Sequence, residues 1–228
     1  MSDATARAAF RFFHRLRVRW AEVDLQKIVF NPHYLMYVDT ALADYWRALA
    51  LPYEQSLHAM GGDLFVRKST LEFYASAVYD DVLDVGLRCA RIGNSSLQLV
   101  SGIFRDQQLL VSAELVYVFA DPVAKVSLPL PQVLRDLLTN FEQGQSPVRA
   151  VRGDWHNLQE AVCSLRLAEP LDEAAQHCVL FNAMNQAIAC GRVSLGDHAQ
   201  VDGLFVSPLL RGAGWSQVVR QHLAPMHA

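Results

Sequence analysis

Residues 82–92, 96–104 and 109–119 alternate apolar and polar side chains, and only Gly93-Asn94-Ser95 and a turn at Arg105-Asp106-Gln107 separate them. Connections this short cannot carry a chain across a sheet, so the three segments must be antiparallel neighbours. A fourth segment, 64–74, reaches them through a turn at Tyr79-Asp80-Asp81, and a fifth is signalled by the alternation in Leu16-Arg17-Val18-Arg19-Trp20. Between the fifth and the rest, Asn31-Pro32 opens a helical pattern, with Pro32 in the first turn and Asn31 as its cap. Leu35, Val38, Leu42, Tyr45, Trp46 and Leu49 recur at three- and four-residue intervals, an apolar stripe along about four to five turns that Pro52 ends. A five-stranded antiparallel sheet needs its apolar face covered, and this helix is the element available to cover it. The expected class is α+β.

The 228 residues allow one large domain or two modest ones, and 52% apolar with 19% charged residues describes a packed globular chain. Leu128-Pro129-Leu130-Pro131 ends the strand pattern and leads into a short helix over 132–141. The polar, turn-rich stretch Glu142-Gln143-Gly144-Gln145-Ser146-Pro147 is the good linker candidate, so domains are expected at 1–142 and 149–228. Beyond it lie a helix over 155–167, strands near 177–181, 187–193 and 201–206, and a Gly-rich turn into a last helix.

A net charge of -3 gives no electrostatic footprint for nucleic acid. No apolar run approaches the roughly 18–20 residues that span a bilayer, so no membrane partner is expected. The N-terminus mixes Arg7, Arg11, Arg15, Arg17 and Arg19 with Phe10, Phe12 and Phe13 and lacks the uninterrupted apolar core of a secretion signal. A cytoplasmic location is the expectation. Cys89, Cys163, Cys178 and Cys190 are far apart, and no histidine spacing suits a metal, which points to reduced thiols and no metal site.

The stretch from Asp24 to Tyr34 puts a carboxylate in a loop just before a helix, where first-turn N–H groups could polarise a carbonyl. Taken singly, Asp24 reads equally as an ordinary turn residue. Asp24, Ile28, Val29, Phe30, Asn31 and Tyr34 together fit the motif of the 4-hydroxybenzoyl-CoA thioesterase-like branch of the hot-dog superfamily. The resemblance covers roughly residues 14–142, taking in Phe73, the Asp80-Asp81 turn, Ile92-Gly93-Asn94-Ser95-Ser96 and the closing Leu-Pro repeat. It implies a hot-dog fold, in which an antiparallel five-stranded sheet wraps a long helix, and an acyl-CoA thioesterase that needs no cofactor beyond the coenzyme A of its substrate. It further implies a homodimer or homotetramer with sites between subunits. Asp24 would be general base or nucleophile, with Asn31, His33 and Tyr34 beside it, and Lys27, Ile28, Val29, Phe30, Ser95 and Ser96 would contact substrate.

One departure stands out. Lys27 occupies a position where the family often has Gly, and it could reshape the acyl pocket or pair with Asp24 or Glu22. Asp39 and Asp44 on the helix, and Glu72 on a strand, are weaker carboxylate candidates, since solvated faces explain them as well.

Residues 149–228 resemble the first part of a GNAT-type acetyltransferase. After the strand at 201–206 comes Arg211-Gly212-Ala213-Gly214-Trp215-Ser216, similar to that family's pyrophosphate loop, in which Arg211, Gly212, Ala213, Gly214 and Ser216 would bind CoA. The later strands of a complete acetyltransferase are absent from this stretch, so a truncated α/β domain is expected. Three functions are carried forward: acyl-CoA thioester hydrolysis through Asp24, CoA-dependent N-acyl transfer through the C-terminal loop, and non-catalytic acyl-CoA binding.

Overall fold

Strands β3 (Val82–Ile92), β4 (Ser96–Arg105) and β5 (Gln108–Ala120) form the middle of a five-stranded antiparallel sheet in the computed structural model, which describes residues 6–165, 175–194 and 200–224. Strand β1 (Phe12–Arg17) adds beside β3 and β2 (Asp63–Phe73) beside β5, giving the order β1-β3-β4-β5-β2. Helix α1 (Pro32–Ala48) buries Tyr34, Tyr37, Val38, Ala41, Leu42, Tyr45 and Trp46. It reaches both edge strands: Tyr34 meets Phe73 of β2 and Tyr45 meets Phe12 of β1, ring centroids 5.6 and 5.5 Å apart. Burial of each large side chain contributes about 1.5–3 kcal/mol, so this stripe holds the helix down. Leu35, expected on the stripe, is 37% exposed, and Tyr34 takes its place.

The opposite face of the sheet carries a smaller aromatic layer. Gly86 of β3 and Gly102 of β4 lie side by side in the register, and their missing side chains admit Phe10, Phe13 and Phe104. A Cβ on Gly102 would sit 2.7 Å from the Phe104 ring and 3.1 Å from that of Phe10. Gly102→Ala should therefore lower the urea unfolding free energy by about 1–3 kcal/mol through overpacking. Arg7 lies over Phe13 at 4.5 Å and donates to Asp84, which Arg15 also holds.

Three local expectations need correction. The first strand is Phe12–Arg17 rather than a segment ending at Trp20, because Trp20 begins a single 3-10 turn and rests edge-on against Tyr79, 75% exposed. Glu22, a charged residue of a type ordinarily solvated, is only 3% exposed. The helix α2 (Tyr53–Ala59) was not expected: two turns burying Ser56 and Leu57 are too short for a periodic signal. The short helix after the sheet is α3 (Gln132–Glu142).

Packing divides the described residues into two units, one running through Trp46 with Tyr53–Gly144, the other Arg47–Pro52 with residues from Gln145 onward. The second contains β6 (Arg149–Gly153), α4 (Trp155–Leu165), β7 (Gln176–Phe181), β8 (Ala187–Val193), β9 (Val201–Val206) and α5 (Trp215–Leu223). Residues 166 and 167 of the expected helix lie outside the described residues. Alternate residues of β7 face opposite helices: Val179 packs with Trp155, Leu158 and Val162, while Cys178 and Leu180 pack with Trp215, Val219 and Leu223. The sheet runs β6-β7-β8-β9 with every pairing antiparallel, so the α/β label expected for 149–228 does not describe it.

Candidate active site

The segment carrying Asp24 folds as a tight hairpin. Val23 bridges Val29, the Asp24 N–H donates to the Ile28 carbonyl at 2.9 Å, and the Lys27 N–H donates to the Asp24 carbonyl at 2.9 Å. Asp24 Oδ1 accepts the Gln26 N–H at 2.8 Å, a turn that Asp side chains favour. Its other oxygen has no partner among the described residues. Asp24 is therefore a turn residue whose half-exposed carboxylate keeps one oxygen available.

Lys27 closes the turn with φ of 63°, the left-handed conformation that glycine adopts without cost. Its side chain is exposed and joins no ion pair among the described residues, while Glu22 is paired with Arg19 instead. Left-handed backbone costs a non-glycine residue about 1–2 kcal/mol, partly offset by the entropy glycine loses on folding. Lys27→Gly should thus raise the urea unfolding free energy by up to about 1 kcal/mol.

Two neighbours fix the hairpin. On one side the Val29 N–H donates to the Ala77 carbonyl at 2.9 Å and Ile28 bridges Val78. On the other, the Phe30 N–H donates to the Glu22 carbonyl at 2.9 Å. The Glu22 carboxylate is itself enclosed, accepting the Arg19 N–H at 2.7 Å, the Arg19 guanidinium at 2.7 Å and the Tyr37 hydroxyl at 2.7 Å. Burial raises its pKa, but these three donors outweigh burial and hold it below the ordinary carboxylate value. Nothing in the sequence marks Glu22 or Tyr37 for this role.

At the start of α1 the His33 N–H donates to the Phe30 carbonyl (2.9 Å) and the Tyr34 N–H to the Asn31 carbonyl (3.2 Å). First-turn donors expected to be free are thus already engaged, whereas the Asn31 N–H donates to no group among the described residues. The Asn31 side chain and the Phe30 ring are exposed, Val29 is buried, and Ile28 is half-buried. His33 is half-buried, set edge-on to Phe30, and its Nδ1 is buried with no partner. Tyr34, 1% exposed, accepts the Ala77 N–H on its hydroxyl at 2.8 Å. Burial foremost, with the Asp81 and Asp24 carboxylates, raises the Tyr34 pKa and keeps the hydroxyl a donor.

The hairpin, Asn31, His33 and Tyr34 come together, but Ser95 and Ser96 do not join them within one chain. Ser96 faces Val118, whereas Phe73, the ring neighbour of Tyr34, faces Val111. Seven residues along β5 correspond to about 23 Å. Of the other carboxylates, Asp44 binds His14 at 2.6 Å, Glu72 accepts from Tyr74, and Asp39 is exposed. The Cys89 thiol is pushed up to about 12, mainly by burial, and is no competing nucleophile. No group of His, Cys, Asp or Glu among the described residues could hold a metal, and no described helix is long and apolar enough to cross a membrane.

In the second unit Gly212 and Gly214 adopt φ of 88° and 82° with open space where a Cβ would stand. Among the described residues the N–H groups of Gly212 to Ser216 donate to no protein group. Arg211 reaches back to the Val206 carbonyl at 3.4 Å.

Residues 26–112 match the family model described as Thioesterase superfamily. The acyl-CoA thioester hydrolase YbgC of Escherichia coli is 27% identical over 129 residues, 56% of this chain and 93% of that protein. A 1,4-dihydroxy-2-naphthoyl-CoA thioesterase from Synechocystis superposes with a TM-score of 0.53 at 21% identity, over 57% of this chain and 97% of its own. A thioesterase from Thermus thermophilus, solved with coenzyme A and zinc, gives 0.51 at 21%, over 59% and 97%. The N-terminal part of the chain therefore has the hot-dog thioesterase fold, with acyl-CoA thioester hydrolases among its relatives.

Proposed function

We propose that the first unit, expected to span 1–142, hydrolyses an acyl-CoA thioester to a carboxylic acid and free coenzyme A. The observation that carries this reading is the unpartnered oxygen of Asp24, held in the turn of a hairpin that precedes α1 in a fold shared with thioesterases. As general base, Asp24 takes a proton from water as that water attacks the carbonyl; as nucleophile, it forms a mixed anhydride that water then opens. In both routes the thiolate of coenzyme A leaves and takes up a proton. The Asn31 N–H, which donates to no described group, would polarise the carbonyl, His33 would supply a further polar contact, and the buried Tyr34 would act from behind by holding the Ala77 N–H. Lys27, Ile28 and Phe30 would line the approach, whereas Val29, 1% exposed, packs in the core instead of contacting substrate, and no cofactor is required.

Ser95 and Ser96 are too far along β5 to serve the Asp24 of their own chain, so this reading takes the protein as a homodimer or homotetramer in which they would serve a partner's. A cytoplasmic location completes this reading. Release of free thiol from short-chain, long-chain and aryl CoA thioesters tests it. Wild type should hydrolyse at least one of them and Asp24→Ala none, and an inactive wild type would sink the proposal.

A second reading rests on the loop from Arg211 to Ser216, whose five free N–H groups suit a pyrophosphate and fit a GNAT-like role in binding CoA or transferring an acyl group. Amide formation from acetyl-CoA and an amine that persists in Asp24→Ala and is lost in Gly214→Val would support transfer.

A further inference from the structure

We infer that Arg105 and Asp81 are positioning residues for the Asp24 hairpin, acting through Ala77 and Val78; this rests on the thioesterase reading above. The hairpin's second strand is paired on its outer side by Ala77 and Val78, which belong to the connection between β2 and β3 and not to either strand. A connection of that kind holds still only if its own backbone groups are anchored. Tyr34 anchors the Ala77 N–H. Asp81 Oδ2 accepts the Val78 N–H at 2.9 Å, and the same oxygen accepts Arg105 Nη1 at 2.9 Å.

Arg105, the last residue of β4, is in turn held by Gln108 at 2.9 Å, while the Asp81 carbonyl accepts the Val18 N–H at 2.9 Å. Contacts thus run without a break from the guanidinium to Asp81, to Val78, to Ile28, and from the Ile28 carbonyl to the Asp24 N–H. The Arg105 and Asp81 side chains are 33% and 17% exposed, shielded enough for the pair to keep its geometry. The neighbouring pair Arg17–Asp80 is 60% and 59% exposed and, among the described residues, hydrogen-bonds neither Ala77 nor Val78. It provides a control in the same turn. A misplacement of about 1 Å can cost on the order of 10²-fold in rate, so a clamp four contacts from the carboxylate is within reach of the chemistry.

The full chain tests this with kcat and KM on a thioester that wild type hydrolyses, together with hydrogen exchange at the Asp24, Ala77 and Val78 amides. Arg105→Gln and Asp81→Ala should lower kcat by about 10–100-fold with KM nearly unchanged, and speed exchange at those amides. Asp81→Asn keeps an acceptor for Val78 and should fall less than Asp81→Ala, Arg105→Lys should recover part of the loss, and Arg17→Gln should match wild type. A folded Arg105→Gln or Asp81→Asn protein with wild-type kcat and wild-type exchange overturns the inference. Should either Arg105→Gln or Asp81→Ala fail to fold, the Asp81→Asn and Arg105→Lys measurements decide. A wild type that hydrolyses nothing overturns the thioesterase reading itself, which an active wild type with unaffected variants would leave standing.

Discussion

Asp24→Asn should lower kcat for thioester hydrolysis by about 10²–10⁴-fold and leave the protein folded. The asparagine side-chain oxygen can still accept the Gln26 N–H, so the turn that the carboxylate builds is retained. Only the charge and the basicity of the second oxygen disappear, and the urea unfolding free energy should stay within about 0.5 kcal/mol of wild type. Near-full activity in this variant would remove Asp24 from the chemistry altogether. A single turnover in oxygen-18 water reveals the nucleophilic route when water opens the anhydride at the Asp24 carbonyl. A mixed anhydride opened at its acyl carbon leaves the label in the acid from the first turnover, and one opened at the Asp24 carbonyl leaves it in the protein. Labelled Asp24 after one turnover is therefore a signature of the nucleophilic route that a general base does not produce.

The second large effect is on stability. Glu22→Leu should cost about 2–4 kcal/mol in urea unfolding, because it leaves the Arg19 N–H and the Tyr37 hydroxyl without their acceptor. The Tyr37 hydroxyl is a buried donor, and its pKa is raised by burial and then by the neighbouring Glu22 charge. Glu22 also predicts a pH dependence. Its folded pKa lies below the unfolded value, so its stabilisation is complete above the usual carboxylate range and is lost as pH falls through the folded value. The stability gap between wild type and Glu22→Gln should therefore narrow on acidification below about pH 4. A gap that widens in acid would contradict the hydrogen-bonded carboxylate.

Helix α1 and strands β3 to β5 are legible in the sequence because period and turn chemistry agree over long stretches. Pro32 opens the helix where expected, and the short turns after Ile92 and Arg105 force adjacent pairing. The placement of β2 beside β5 is not legible: those strands pair across the whole of β3 and β4, and no connection length dictates it. The site divides in the same way. Asp24 and Lys27 stand out through a local motif, and the left-handed Lys27 occupies the position where glycine is the familiar choice. Glu22 looks like part of a polar run, and only Tyr37, fifteen residues on and brought back by the helix, turns it into an interior ion. Arg105 and Asp81 lie at strand ends where charged residues are ordinary, and their link to the hairpin appears only in three dimensions. The roughly 23 Å between Ser96 and the Tyr34 end depends on which end of β5 each neighbour meets, which alternation alone does not encode.

Strand β2 has a consequence for how the protein behaves in concentrated solution. Its eleven residues form one border of the five-stranded sheet, with Val66 55% and Phe73 49% exposed. An open border of that length is a template on which foreign strands can grow. The register irregularity between Val66 and Lys68, flanked by the cations Arg67 and Lys68, interrupts the template near its middle. A kink and two cations thus guard this border against aggregation, and substitutions there should show first as clouding of the sample.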